Sequence, residues 1–202
     1  MIKNIVFDIG RVLLDYQPMA FLEHLGVAQQ ESIILNELIF KNDLWLQLDR
    51  GTITQDEAIR AYCTMAPIHT ERIQQIMHTW PQMLTPIDGT AELLRELIAK
   101  GYDVYLLSNF QEDGFHYIYN KFPFLGKVKG RIISYEVKLL KPEPSIYTCL
   151  LEKYHLAAAE TVFIDDLKEN IEAAIELGIK GIVFENTKKT REKLINMGVD
   201  IA

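Results

Sequence analysis

Residues 161–185, "TVFIDDLKENIEAAIELGIKGIVFE", decide how this chain folds. The runs "TVFI" and "GIVFE" are short, apolar and rich in β-branched residues, the pattern of strands rather than helices. Between them "KENIEAAIELG" is amphipathic at helical spacing and stops at Gly178, a residue suited to a left-handed helix terminus. Working outward, "NIVFD" (4–8), "YDVYLLSN" (102–109) and "RIIS" (131–134) read as further strands. "TAELLRELIAKG" and "TREKLINMG" read as further helices, ending at Gly101 and Gly198. Strands alternating with helices imply an α/β fold, a three-layer Rossmann-like domain with a mainly parallel sheet and helices on both faces.

The first strand is not followed by its partner. Residues 16–85 hold helical patterns such as "MAFLEHLG", "QESIILNELIF" and "QDEAIRAYCTM" and almost no strand signal. The expectation is a small helical cap, 16–85, inserted after the first strand of a core formed by 1–15 and 86–202. Within the cap, "LDRGTITQDEA" offers Gly51 as a helix stop and Thr54 with Glu57 as a capping box, and the same stretch is also readable as a loop facing a substrate. The proline-rich "WPQMLTPIDG" marks the return to the sheet.

Composition narrows the function classes. The chain has 202 residues, room for one ordinary domain with an insertion, and its 49% hydrophobic and 24% charged residues are those of a soluble globular protein. No apolar run approaches the ~20 residues that span a bilayer. A strand signal begins almost at residue 1, leaving no space for a secretory leader, and a cytoplasmic location is expected. Cys63 and Cys149 lack C-x-x-C spacing, which argues against a disulfide framework or cysteine zinc site and leaves two buried thiols as the expectation. The net charge is −7 and basic residues are scattered apart from Lys188 and Lys189, so nucleic acid is not an expected partner. A small phosphorylated metabolite is compatible with that charge if a metal ion and one or two cations gather at the site. None of these patterns speaks to oligomeric state.

In open parallel sheets, ligands bind beyond the carboxyl ends of the strands. This sequence places Asp8, then Ser108 and Asn109, then Asp165 and Asp166 at those ends, with Lys141 just before "PEPSIY", the start of a helix. Each alone is readable as a turn, capping or solvated residue. Two adjacent carboxylates packed near a third are mutually repulsive without a cation between them, and hard oxygen donors favour Mg²⁺ over zinc. With such an ion, Asp8 is placed to attack phosphorus and form an aspartyl-phosphate. Lys141, Ser108 and the N–H of Asn109 are then available to the phosphoryl oxygens.

The motifs "FDIGRVLLD", "LLSN", "KPEPSIY" and "FIDDLKENIEAAIELG", in that order across nearly the whole chain, resemble the haloacid dehalogenase-like superfamily. Within it the chain looks like the branch of the epoxide-hydrolase N-terminal phosphatases and the α-glucose-1-phosphate phosphatases. The resemblance implies Asp8 as nucleophile, Ser108 and Asn109 as phosphate binders, and Lys141 as the cation steadying both phosphate and Asp8. It implies Mg²⁺ held by Asp8, by the backbone carbonyl of Gly10 and by Asp166 directly, and by Asp165 through water. Asn170 would orient the acidic pair, or else be an exposed residue of a first helical turn.

Most phosphatases of that family carry a second aspartate two residues after the nucleophile, as general acid and base; here that position is Gly10. Such proton transfer is worth roughly 10²–10⁴ in rate. Its loss matters less for a good leaving group, which makes a sugar phosphate the expected substrate, the look-alike sugar phosphatases also carrying glycine there. Asp15 is a candidate proton donor or a hinge carboxylate. His116, Arg11 and Arg50 are weighed as substrate contacts against surface or packing roles, and Trp45 and Trp80 as cap packing. Two other readings stand beside the phosphatase. One is a 2-haloacid dehalogenase, which works without metal; the other is a phosphate-ligand binding module weakened catalytically by Gly10.

Overall fold

The computed structural model describes residues 1–201. Strand β1 (Asn4–Phe7) leads to a two-residue strand β2 (Leu14–Asp15), after which the chain enters helices α1 (Pro18–His24), α2 (Gln29–Leu35), α3 (Asp43–Arg50), α4 (Gln55–Met65) and α5 (Thr70–Thr79). A π-helical turn, Asn36–Phe40, extends α2. Strand β3 (Thr85–Pro86) pairs antiparallel with β2, so the cap is entered and left through one short ribbon. The rest alternates: α6 (Thr90–Ala99), β4 (Asp103–Ser108), α7 (Glu112–Lys121), β5 (Gly130–Ile133), α8 (Ser134–Val137), α9 (Pro144–Tyr154), β6 (Thr161–Asp165), α10 (Lys168–Glu176), β7 (Lys180–Val183) and α11 (Thr187–Asn196).

The five long strands form one parallel sheet in the order β5-β4-β1-β6-β7, with β1 at its centre. Side chains alternate across it with period two. Ile5 and Phe7 join one apolar cluster with Leu93, Phe115 and Leu194, from α6, α7 and α11. Val6 joins the other with Ile146 and Ile171, from α9 and α10. Helices therefore cover both faces, which is why the strands read as continuous apolar runs. The chain order is the α/β, Rossmann-like arrangement with a helical cap that the alternation implied.

Local signals in the sequence are realised in detail. Gly101, Gly178 and Gly198 all take positive φ at helix ends. Thr54 and Glu57 form the reciprocal capping box of α4, the Thr54 hydroxyl accepting from the Glu57 N–H at 3.3 Å and Glu57 accepting from the Thr54 N–H at 2.8 Å. The expectation of two buried thiols is corrected: Cys63 and Cys149 are only half-buried, each lying at the margin of an apolar cluster. The β2–β3 ribbon carries too few residues to leave a periodic signal. Among the described residues, no helix is long and apolar enough to cross a membrane.

Candidate active site

The register of β1 sets its end against those of its neighbours: Phe7 pairs with Leu106 of β4 and Ile164 of β6. Asp8, the next residue, keeps its N–H on the Ile164 carbonyl at 2.9 Å and turns its side chain into the crevice beyond the sheet. There Oδ1 accepts from the Ser108 hydroxyl at 2.6 Å and lies 2.8 Å from Nζ of Lys141. The same ammonium bonds Oδ2 of Asp165 at 2.6 Å, and its side chain is only 2% exposed. Burial pulls the Lys141 ammonium downward; the two carboxylates outweigh it and hold the group above the ordinary lysine range. Burial lifts Asp8 above the usual carboxylate range, with Lys141 opposing and the negative Asp165 adding to the rise.

Asn109 braces this arrangement from behind. Its Oδ1 accepts from the Lys141 N–H at 2.8 Å and its Nδ2 donates to the Lys141 carbonyl at 3.0 Å, fixing both sides of the residue that presents the ammonium. The Lys141–Pro142 peptide that follows is cis. Asn170 is buried, not exposed, and its Nδ2 reaches both oxygens of Asp165 at 2.9 and 3.1 Å, while its carbonyl accepts from the Tyr147 hydroxyl at 2.9 Å. Asp165 also accepts from the Leu167 N–H at 2.8 Å, so each of its oxygens already serves two donor contacts.

Asp8, Asp165 and Asp166 each offer a carboxylate oxygen within 4.8 Å of the others. Asp166 is half-buried, and its nearest cation is Arg11, 3.8 Å away. Burial and the charge of Asp165 push Asp166 upward, the mark of a carboxylate short of positive charge. An all-oxygen donor set with open space in front suits a hard divalent ion of the magnesium type. Since each Asp165 oxygen is taken up by protein donors, Asp8 and Asp166 are the side chains free to face such an ion. Gly10 lies in the wall beside them, and a Cβ added there would meet nothing within 4 Å.

Asp8, Arg11, Lys141 and Asp166 form the polar end of a cavity of about 270 Å³ between the strand ends and the cap, with Asp165 buried behind them. Its other walls are Tyr16, Phe40, Trp45, Trp80, Leu84 and Phe110. Trp45 packs edge-on against Trp80 at 5.1 Å between centroids, and Trp80 lies 5.9 Å from Phe110. Gly114 makes room for that ring, since a Cβ there would come within 2.2 Å of Trp80 Cζ2. Both tryptophans thus pack the cap, as their type suggests, and also line the cavity. The indole N–H of Trp80 is buried and without a partner among the described residues.

One acidic residue of the cavity was not singled out by sequence reasoning. Asp49, in the last turn of α3, lines the same cavity from the cap side. Three links clamp its segment to the core: Ser134 Oγ donates to the Asp49 carbonyl, Arg50 pairs with Glu143, and Lys138 Nζ donates to the Gly51 carbonyl. Gly51 takes φ +69° there, and a Cβ would fall 2.7 Å from the Tyr135 carbonyl oxygen. Burial raises the Asp49 carboxyl to about 8, reinforced by the charge of Asp8 and opposed by the Gln111 N–H and by Lys141. A signal was available: Asp49 stands one turn beyond the buried Trp45, at the helix end where the dipole disfavours negative charge. The other candidates lie elsewhere. Asp15 accepts from the Tyr16 N–H and Gln17 Nε2 at the mouth of the ribbon, and exposed His116 rests 3.3 Å from the Tyr135 hydroxyl; neither lines the cavity. Arg11 does line it, whereas Arg50 is spent on Glu143.

A family model described as haloacid dehalogenase-like hydrolase matches residues 5–184. The sesquiterpene phosphatase astK of Aspergillus oryzae is 28% identical over 93% of this chain and 92% of its own. The D-ribitol-5-phosphate phosphatase of Bacteroides thetaiotaomicron is 27% identical over 96% of this chain and 97% of its own. Among solved structures, a haloacid dehalogenase family enzyme from Bacteroides thetaiotaomicron, crystallised with magnesium and inorganic phosphate, superimposes with a TM-score of 0.75 at 27% identity, covering 93% of this chain and 96% of that one. The L-2-haloacid dehalogenase of Xanthobacter autotrophicus shares the fold, with a TM-score of 0.69 at 19% identity over 100% of this chain and 85% of that one.

Proposed function

The chain belongs to the haloacid dehalogenase-like hydrolases, and we propose that it is a magnesium-dependent phosphatase of a small phosphorylated metabolite, with residues 16–85 closing as a cap over the core of 1–15 and 86–202. The observation that carries this reading is the single ammonium of Lys141 shared between Asp8 and Asp165 beside a third carboxylate, Asp166. Asp8 is the nucleophile: one of its oxygens bonds phosphorus as the bond to the leaving oxygen breaks, giving an aspartyl-phosphate that water then hydrolyses. Ser108 and Lys141 orient the attacking carboxylate and donate to the phosphoryl oxygens, while Asn109 and Asn170 keep Lys141 and Asp165 in place. Asp8, the backbone of Gly10 and Asp166 would hold Mg²⁺, with Asp165 behind them, and the bound ion supplies charge compensation for the transferring phosphoryl group.

Two kinds of leaving group suit the cavity. A sugar phosphate would set a ring face on the aromatic wall of Tyr16, Trp45 and Trp80. The predominance of Phe40, Trp45, Leu84 and Phe110 favours an ester with an apolar body as a second reading. Against a dehalogenase stands the acidic cluster, which a metal-independent displacement does not need. A screen of phosphate release over sugar phosphates, nucleotides and apolar phosphate monoesters, with and without magnesium, tests the reading. Release that needs magnesium and vanishes in Asp8→Asn supports it. Chloride release from 2-chloropropionate in chelator, without phosphatase activity, would replace it with the dehalogenase.

A further inference from the structure

A phosphate ester with an ordinary alcohol as leaving group needs a proton delivered to the departing oxygen, and the polar residues of the cavity can be assigned one by one. Asp8 is committed to attack, Asp165 and Asp166 to the acidic cluster, and Lys141 and Arg11 to positive charge. The Tyr16 phenol is held far above its ordinary range by burial and by Asp49, which makes it a poor acid. Asp49 is what remains: a carboxyl lining the cavity from the cap, with no lysine, arginine or histidine within ion-pair distance among the described residues. Its backbone is clamped to the core by Ser134 and, one residue on, by the Arg50–Glu143 pair, so it keeps a fixed position over the strand ends.

We infer that Asp49 is the general acid and base of this site, supplied by the cap in place of a carboxylate at position 10. The inference rests on the phosphatase reading above. In the first step the Asp8 oxygen bonds phosphorus, the bond from phosphorus to the leaving oxygen breaks, and that oxygen takes its proton from Asp49 to leave as the alcohol. In the second step water attacks the aspartyl-phosphate and gives its proton to Asp49. The bond from phosphorus to Asp8 breaks with its electron pair returning to the carboxylate, and phosphate departs with both residues restored. The elevation of the Asp49 carboxyl by burial agrees with a group that holds a proton between turnovers; the charged and titratable groups facing it are Asp8, Lys141, Tyr16 and Tyr62.

The test compares two esters of nearly the same shape, benzyl phosphate, whose alcohol must be protonated, and p-nitrophenyl phosphate, whose phenolate leaves unaided. In the wild-type protein the kcat/KM values are expected to lie within roughly tenfold of each other, because the acid levels the difference. Asp49→Asn is expected to lower kcat/KM for benzyl phosphate by roughly 10²–10⁴ while leaving p-nitrophenyl phosphate within about fivefold. D49N/G10D is expected to narrow the gap again, position 10 having open space for a side chain. A uniform loss on both esters, no loss on either, or a wild-type gap of about 10³ or more would overturn the inference, the last without relying on any variant's folding. Turnover of neither ester by the wild type, or full turnover by Asp8→Asn, would refute the phosphatase reading itself and is recognisable as such.

Discussion

Replacing Lys141 by Met retains the apolar stem and removes the charge. At 2.6 and 2.8 Å from two carboxylates, and at an effective dielectric of about 20, each contact has a gross attraction of about 6 kcal/mol. Much of that offsets the cost of burying the ammonium. What the substitution leaves behind is the decisive quantity: Asp8 and Asp165, buried and facing each other with their cation gone. Breaking such a pair costs about 3–5 kcal/mol. With a urea dependence of about 3 kcal/mol/M for a chain of this size, the unfolding midpoint should fall by about 1–1.7 M in magnesium-free buffer. Asp165→Asn and the double variant complete a cycle in which the coupling should exceed about 1 kcal/mol, because the two groups are in contact. A midpoint within about 0.3 M of wild type, or strictly additive effects, would refute the claim that Lys141 neutralises this cluster.

Two further expectations concern the clamp between cap and core. Gly51→Ala imposes a left-handed conformation on a side-chain residue and drives its Cβ toward the Tyr135 carbonyl oxygen, so thermal unfolding should show a loss of about 2–3 kcal/mol; a neutral outcome would mean that the segment is free to move. Arg50→Ala removes a half-exposed pair with Glu143, which should cost no more than about 1 kcal/mol of stability, yet displace Asp49 and lower kcat/KM for an alkyl ester roughly ten- to a hundredfold. Activity that falls only in step with stability would contradict the positioning role.

The sheet was legible because each of its strands is a local apolar run and three of the helices packed on it stop at a local glycine, Gly101, Gly178 or Gly198, and the polar strand ends followed from the parallel order itself. Partnership was not legible. Asn109 is read as a phosphate binder through its backbone N–H; that its side-chain amide holds the backbone of Lys141, 32 positions away, is a contact no local pattern announces. Asp165 is read as reaching the metal through water, and its partner Lys141, which with Asn170 and Leu167 takes up its oxygens, is not written in its neighbourhood of the sequence. Asp49 lay inside a stretch read for its glycine and its capping box or else as a loop facing a substrate, with Asp49 itself not named; Asp49 does line the cavity. Its place at the site depends on contacts such as Arg50 to Glu143, across 93 residues, which no window of sequence contains. Gly10 had the opposite character: a local absence, visible at once, whose compensation lies on another element.

The most direct test of the phosphatase account is the covalent enzyme. Intact-mass and peptide analysis of protein mixed with p-nitrophenyl phosphate and magnesium, then quenched in acid, should reveal one phosphoryl group on Asp8, absent in chelator and absent from Asp8→Asn. Turnover with no such adduct on Asp8, or an adduct that forms equally well without magnesium, would contradict it.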